Sequence, residues 1–102
     1  MHQFDLKDKT AIITGGAQGF GLDIAKRFLN SGAKVIIWDI DENELIKASE
    51  KLNNPKLSFN VVDVSNYKSV KEAVDTIIKS SSIDILINNA GITGSTSSLW
   101  DY

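Results

Sequence analysis

The sequence contains no cysteine. Disulfide scaffolds, cysteine-ligated zinc or iron–sulfur centres and a thiol nucleophile are therefore excluded within it. Proline occurs once, at Pro55, and histidine once, at His2. A lone histidine ahead of the first apolar run can neither complete a triad nor share a metal. No apolar run approaches the ~18 residues of a membrane span. Residues 1–9 lack the apolar centre of a secretory leader. A cytoplasmic location without membrane attachment is the expectation. A surplus of either charge is missing too: 11 basic residues stand against 13 acidic ones, a net charge of −2. No block of like sign offers a footprint for nucleic acid.

What is present alternates. Four short runs are apolar and rich in β-branched residues. They are Ala11-Ile12-Ile13, Val35-Ile36-Ile37-Trp38, residues 59–64 (broken by Asn60 and Asp63) and residues 83–87 (broken by Asp84). They read as strands buried on both faces. Between them lie helical patterns. Leu22, Ala25, Phe28 and Leu29 form a stripe over residues 19–31, stopped by Gly32. Asp41 followed by Glu44 has the form of a capping box. It would open a helix with Leu45, Ala48 and Leu52 on its inner face, closed at Asn53-Asn54-Pro55. Ser65 is expected to cap a third helix whose inward residues are Val70, Val74, Ile77 and Ile78.

This β-α-β-α-β-α-β order predicts an α/β fold of the Rossmann type. The sheet is expected to be doubly wound and parallel, truncated at four strands in the order 3-2-1-4, with three helices.

The first crossover carries Thr14-Gly15-Gly16-Ala17-Gln18-Gly19-Phe20-Gly21. Glycines at 15, 19 and 21 permit a sharp turn out of the strand, close approach of the backbone to a diphosphate and tight seating of the helix. Amides at a helix start suit an anion. Gly15, Gln18, Gly19, Phe20 and Gly21 are the candidate contacts there. Asp39 ends the second run at roughly the 20-residue spacing where an acid accepts hydrogen bonds from an adenosine ribose. A carboxylate at that place repels a 2′-phosphate, and neither Gln18 nor Ile40, which flank it, is basic. NAD is therefore expected as cofactor, with NADP the less favoured, and residues 1–102 are expected to form one partial NAD(P)-binding domain. Asp41 fits the helix cap better than Asp39, which leaves Asp39 for the ribose.

With these residues the sequence resembles the classical short-chain dehydrogenases/reductases. Thr14, Gly15, Gly19 and Gly21 match the family pattern Thr-Gly-x-x-x-Gly-x-Gly, Asp63-Val64 its Asp-Val pair, and Asn88-Asn89-Ala90-Gly91 its Asn-Asn-Ala-Gly element. The matches fall in order and at strand ends. The resemblance implies that Asp63 holds the adenine amino group, with the Val64 backbone beside it. It implies that Asn88 and Asn89 steady the sheet while Ala90 and Gly91 meet the nicotinamide-side ribose; Asn89, Ala90 and Gly91 are thus candidate cofactor residues. It implies oxidation of an alcohol or reduction of a ketone, a small substrate, and homo-oligomeric full-length relatives. The family's catalytic Asn, Ser and Tyr-x-x-x-Lys lie beyond Tyr102, so this stretch alone is expected to be inactive. Tyr67-Lys68-Ser69-Val70-Lys71 matches the last pattern literally, but it precedes Asn88-Asn89-Ala90-Gly91 and falls at the start of the third helix. A non-catalytic NAD-binding or redox-sensing module stays open. A methyltransferase using S-adenosylmethionine is disfavoured by the glycine spacing and the Asn-Asn-Ala-Gly element.

Overall fold

The structure, a computed structural model, describes residues 6–17 and 19–89. Seven elements alternate along it: β1 (Thr10–Thr14), α1 (Gly19–Asn30), β2 (Lys34–Asp39), α2 (Glu42–Leu52), β3 (Leu57–Val61), α3 (Tyr67–Ile78) and β4 (Ile85–Asn88). The strands form one sheet in the order β3-β2-β1-β4. All three pairings are parallel, with Thr14 opposite both Trp38 and Asn88. This is the Rossmann-type arrangement expected from the sequence, with the strand order of the dinucleotide-binding version.

Strand periodicity sorts the core into two layers. Ile13, Val35 and Ile37 pack with Ala25 and Leu29 of α1 and Leu45 and Ala48 of α2. The intervening Ile12, Ile36 and Trp38 pack with Val70 and Ile77 of α3. Each buried Val, Ile or Leu among them contributes roughly 1.5–3 kcal/mol by leaving water. Trp38 is fully buried, and its indole N–H donates to Asn60 Oδ1 at 3.2 Å, across the β2–β3 register. Asn60 therefore interrupts the apolar run without interrupting the strand.

Several boundaries differ from those read in the sequence. β3 runs from Leu57, not Phe59, and ends before Asp63, whose side chain starts a turn. β4 begins at Ile85 because Asp84 is occupied at its start: the Asp84 carboxylate accepts from the Thr10 amide at 2.9 Å, and the Asp84 amide donates to the Thr10 carbonyl at 2.9 Å. Burial on both faces holds for β1 and nearly for β2, whereas β3 and β4, the outer strands here, are only partly covered.

The caps show the same mixture. Asp41 caps α2 by accepting from the Glu44 amide at 3.2 Å. The reciprocal half of the expected box is replaced: the Asp41 amide donates to Asp39 Oδ1 at 3.2 Å. Asn66, not Ser65, caps α3, accepting from the Ser69 amide at 3.2 Å. Both residue types cap well, and Ser65 is engaged elsewhere. Ile78 is 54% exposed rather than inward, because Ile77 already occupies the inner position of the last turn.

Trp38→Ala is expected to cost about 3–5 kcal/mol, a large part of the stability of a domain this size. Ile78→Ala should change stability by less than ~0.5 kcal/mol. Chemical denaturation of the two variants checks the assignment of inner and outer positions.

Candidate functional site

Parallel strands bring all their C-terminal ends to one edge of the sheet, and ligands of open α/β sheets bind beyond that edge. There, Gly15, Trp38, Asp39, Ile40, Val62, Asp63 and Val64 line a hollow of about 130 Å³. Gly15, Asp39, Ile40, Asp63 and Val64 are all candidates named from the sequence. They come from three strand ends and meet at one place.

The glycine turn forms the inner wall. Gly15 has φ 64°, a left-handed conformation that glycine adopts without strain. Its N–H donates to the Trp38 carbonyl at 2.7 Å, and the Gly16 N–H reaches the same oxygen at 3.4 Å. Its carbonyl accepts from Asn89 Nδ2 at 3.2 Å. The buried Thr14 hydroxyl donates to Asn88 Oδ1 at 3.0 Å. The Asn88-Asn89 pair thus ties the end of β4 to the turn, and the Asn89 side chain is directed to protein.

Gly21 lies inside α1, where a Cβ would collide with the Gly15 carbonyl oxygen. This seats the start of α1 directly on the turn. A Cβ on Gly19 would meet nothing within 4 Å, so the outer side is open. The first amides of any helix lack intrahelical acceptors, and α1 begins with Gly19 at this open side. Phe20 is 75% exposed. Gly16 was given no role by the spacing. A Cβ there would stand 2.6 Å from Ile37 Cγ2, so Gly16 is a packing position against β2. Only the register of β2 on β1 reveals it.

Asp39 is half-buried at the end of β2. One of its carboxylate oxygens is held by the Asp41 amide. Ile40, largely exposed, and the half-buried Val64 supply apolar wall. No lysine or arginine lines this hollow among the described residues. Asp63 Oδ1 accepts from the Ser65 amide at 2.9 Å and from the Ser65 hydroxyl at 2.6 Å. The hydroxyl bond, then the amide bond, hold the Asp63 carboxyl below the usual carboxylate range. Gln18, Ala90 and Gly91 lie outside the described residues.

The literal Tyr-x-x-x-Lys match lies on the outer surface. Tyr67 is exposed in the first turn of α3, and Lys71 pairs with Asp75 at 2.9 Å. The hydrogen bond and charge of Asp75 raise the Lys71 ammonium above its ordinary value. A hollow of about 400 Å³ lies at the opposite, N-terminal edge of the sheet, lined by Lys9, Thr10, Gly32, Lys34 and Lys56 among others. It is larger, but it holds none of the candidate residues and faces away from the strand ends where such sheets bind ligands.

Chemically, the C-terminal edge offers amides to an anion over the glycine turn. It offers two carboxylates as acceptors at the far side and apolar wall between them. A long ligand, anionic in the middle with hydroxyl and amino donors at one end, fits this set.

The short chain dehydrogenase family model matches residues 9–100. The chain belongs to that family. It is 45% identical over 91 residues to the 3-oxoacyl-[acyl-carrier-protein] reductase FabG of Chlamydia pneumoniae, covering 86% of this chain and 37% of that protein. A short chain dehydrogenase of Bacillus anthracis superposes with a TM-score of 0.80 at 35% identity, over 84% of this chain and 36% of that one. The RhlG/NADP active-site complex of Pseudomonas aeruginosa does so at 0.79 and 31% identity, over 89% and 38%. The chain thus spans little more than a third of the length of these relatives.

Two outcomes follow from this geometry. By helix propensity, Gly21→Ala would stabilise α1 by up to ~1 kcal/mol. Contact with the Gly15 carbonyl should reverse the sign to a loss of roughly 1–3 kcal/mol, read by thermal unfolding. Ser65→Ala should raise the Asp63 pKa, followed by carboxyl-detected NMR titration. Because the folded value is depressed, the Asp63 contribution to stability is complete above the ordinary carboxylate range. It is lost as the pH falls through the lowered value, and the variant should lose the hydroxyl's share of that dependence while keeping the share of the Ser65 amide.

Proposed function

We propose that the chain binds a nicotinamide dinucleotide along the C-terminal edge of β1, β2 and β3, as the cofactor-binding part, residues 1–102, of an oxidoreductase that interconverts an alcohol and a ketone. Gly15, Gln18, Gly19, Phe20 and Gly21 receive the diphosphate. Asp39 takes the adenosine ribose with Ile40 beside it. Asp63 and Val64 take the adenine, and Asn89, Ala90 and Gly91 form the nicotinamide side. The cofactor supplies hydride chemistry; these residues bind and orient it. Kinship with a 3-oxoacyl-[acyl-carrier-protein] reductase supports a ketone carried on a thioester as the substrate class of the whole protein.

The observation that carries the reading is the Asp39 carboxylate beside the glycine turn, in a hollow whose described lining has no cation. It favours NAD. A carboxylate and a 2′-phosphate ~4 Å apart repel by roughly 1–4 kcal/mol across the range from water to a protein surface. A tenfold ratio needs about 1.4 kcal/mol. The second reading is NADP, supported by the RhlG/NADP neighbour.

Titration of the full chain with NADH and NADPH tests this, followed by nicotinamide fluorescence. NADH should bind at least about tenfold more tightly. Asp39→Asn, which keeps an acceptor for the Asp41 amide but removes the charge, should erase most of that ratio. Tighter binding of NADPH would establish the second reading. Binding of neither at millimolar concentration would overturn both.

A further inference from the structure

We propose that Ser65 is a positioning residue: it fixes one oxygen of the Asp63 carboxylate and so presents the other to the amino group of a bound adenine. This rests on the cofactor reading above and assigns a residue to which that reading gives no role.

The geometry points to Ser65 for three reasons. Its amide and its hydroxyl both converge on the same oxygen, Oδ1, at 2.9 and 2.6 Å. The second is a short O–H···O⁻ bond of the charge-assisted kind. Oδ2 has no hydrogen-bond partner among the described residues. Next, the hydroxyl is released from the duty its sequence position suggests, because Asn66 caps α3. Finally, the Asp63 backbone is held without the Ser65 side chain. The Asp63 amide donates to Ser69 Oγ at 3.4 Å, and the Asp63 carbonyl accepts from the Asn66 amide at 3.0 Å. What the hydroxyl adds is the rotamer of the Asp63 carboxylate. Held by the Ser65 amide alone, the half-buried carboxylate would be less ordered when the ligand arrives, at a cost in affinity. The effect is confined to contacts made by Asp63.

The test compares NADH with reduced nicotinamide hypoxanthine dinucleotide, in which a carbonyl oxygen replaces the adenine amino group. The ratio of their dissociation constants is read on the full chain and on Ser65 variants. The unmodified chain should prefer NADH. Ser65→Ala should reduce that preference about fivefold, the scale of one ordinary hydrogen bond, because the Ser65 amide still holds Oδ1. That variant's affinity for the hypoxanthine analogue should not fall. Ser65→Thr should retain the preference and Ser65→Val should reduce it as Ser65→Ala does; this pair holds shape constant while the hydroxyl is removed. Equal weakening of both dinucleotides, an unchanged ratio in Ser65→Ala and Ser65→Val, or no initial preference would overturn the role of Ser65 while the cofactor reading stands. Binding of neither dinucleotide by the unmodified chain would defeat that reading itself, and this inference with it.

Discussion

The backbone of Gly15 is the point on which the site depends. Its N–H is bound by the Trp38 carbonyl and its C=O by the Asn89 side chain. One bond comes from β2 and the other from the end of β4, so the turn leaving β1 is fixed by the strands on both sides. Each bond contributes about 1 kcal/mol. Their larger effect is geometric. The left-handed φ of Gly15 would cost another residue roughly 1–2 kcal/mol, and the missing Cβ of Gly21 lets α1 close on the same carbonyl. Gly15 itself then lines the hollow beyond the sheet.

The parallel sheet does the rest. Asp39 and Asp63 are separated in sequence by α2 and β3, yet both leave their strands at the same edge and line one hollow. Their carboxylates are held by local donors: the Asp41 amide for Asp39, the Ser65 hydroxyl and amide for Asp63. Fully buried Trp38 links the parts. Its carbonyl anchors the glycine turn, its indole holds Asn60 of the neighbouring strand, and Asp39 is the next residue. The α3-side core and the site are therefore coupled through one residue.

Much of this is legible in the sequence, because period-two and period-3.6 patterns alternate cleanly and the glycine spacing falls between a strand and a helix. The order of the strands follows from taking the alternation as the dinucleotide-binding version of the fold. What is hidden depends on three-dimensional neighbours. Ser65 and Asn66 are both good caps, and only the competing demand of Asp63 decides between them. Ile77 and Ile78 are chemically alike, and the angle at which α3 meets the sheet buries one and exposes the other. Gly16 looks like filler until β2 is placed against it. Asn89, a candidate cofactor contact, directs its side chain to the Gly15 carbonyl. The strand limits at Leu57 and Ile85 are set by hydrogen-bond register rather than by hydrophobicity.

The central claim is that a nicotinamide dinucleotide lies over the glycine turn and along the ends of β1, β2 and β3. Amide chemical-shift mapping of the isotopically labelled full chain during NADH addition tests it most directly. The account predicts saturable shifts at Gly15, Gly19, Phe20, Gly21, Asp39, Ile40, Asp63 and Val64, with Lys9, Lys34 and Lys56 at the other edge of the sheet unmoved. Shifts concentrated at those lysines, or none at the glycine turn at saturating NADH, would contradict it.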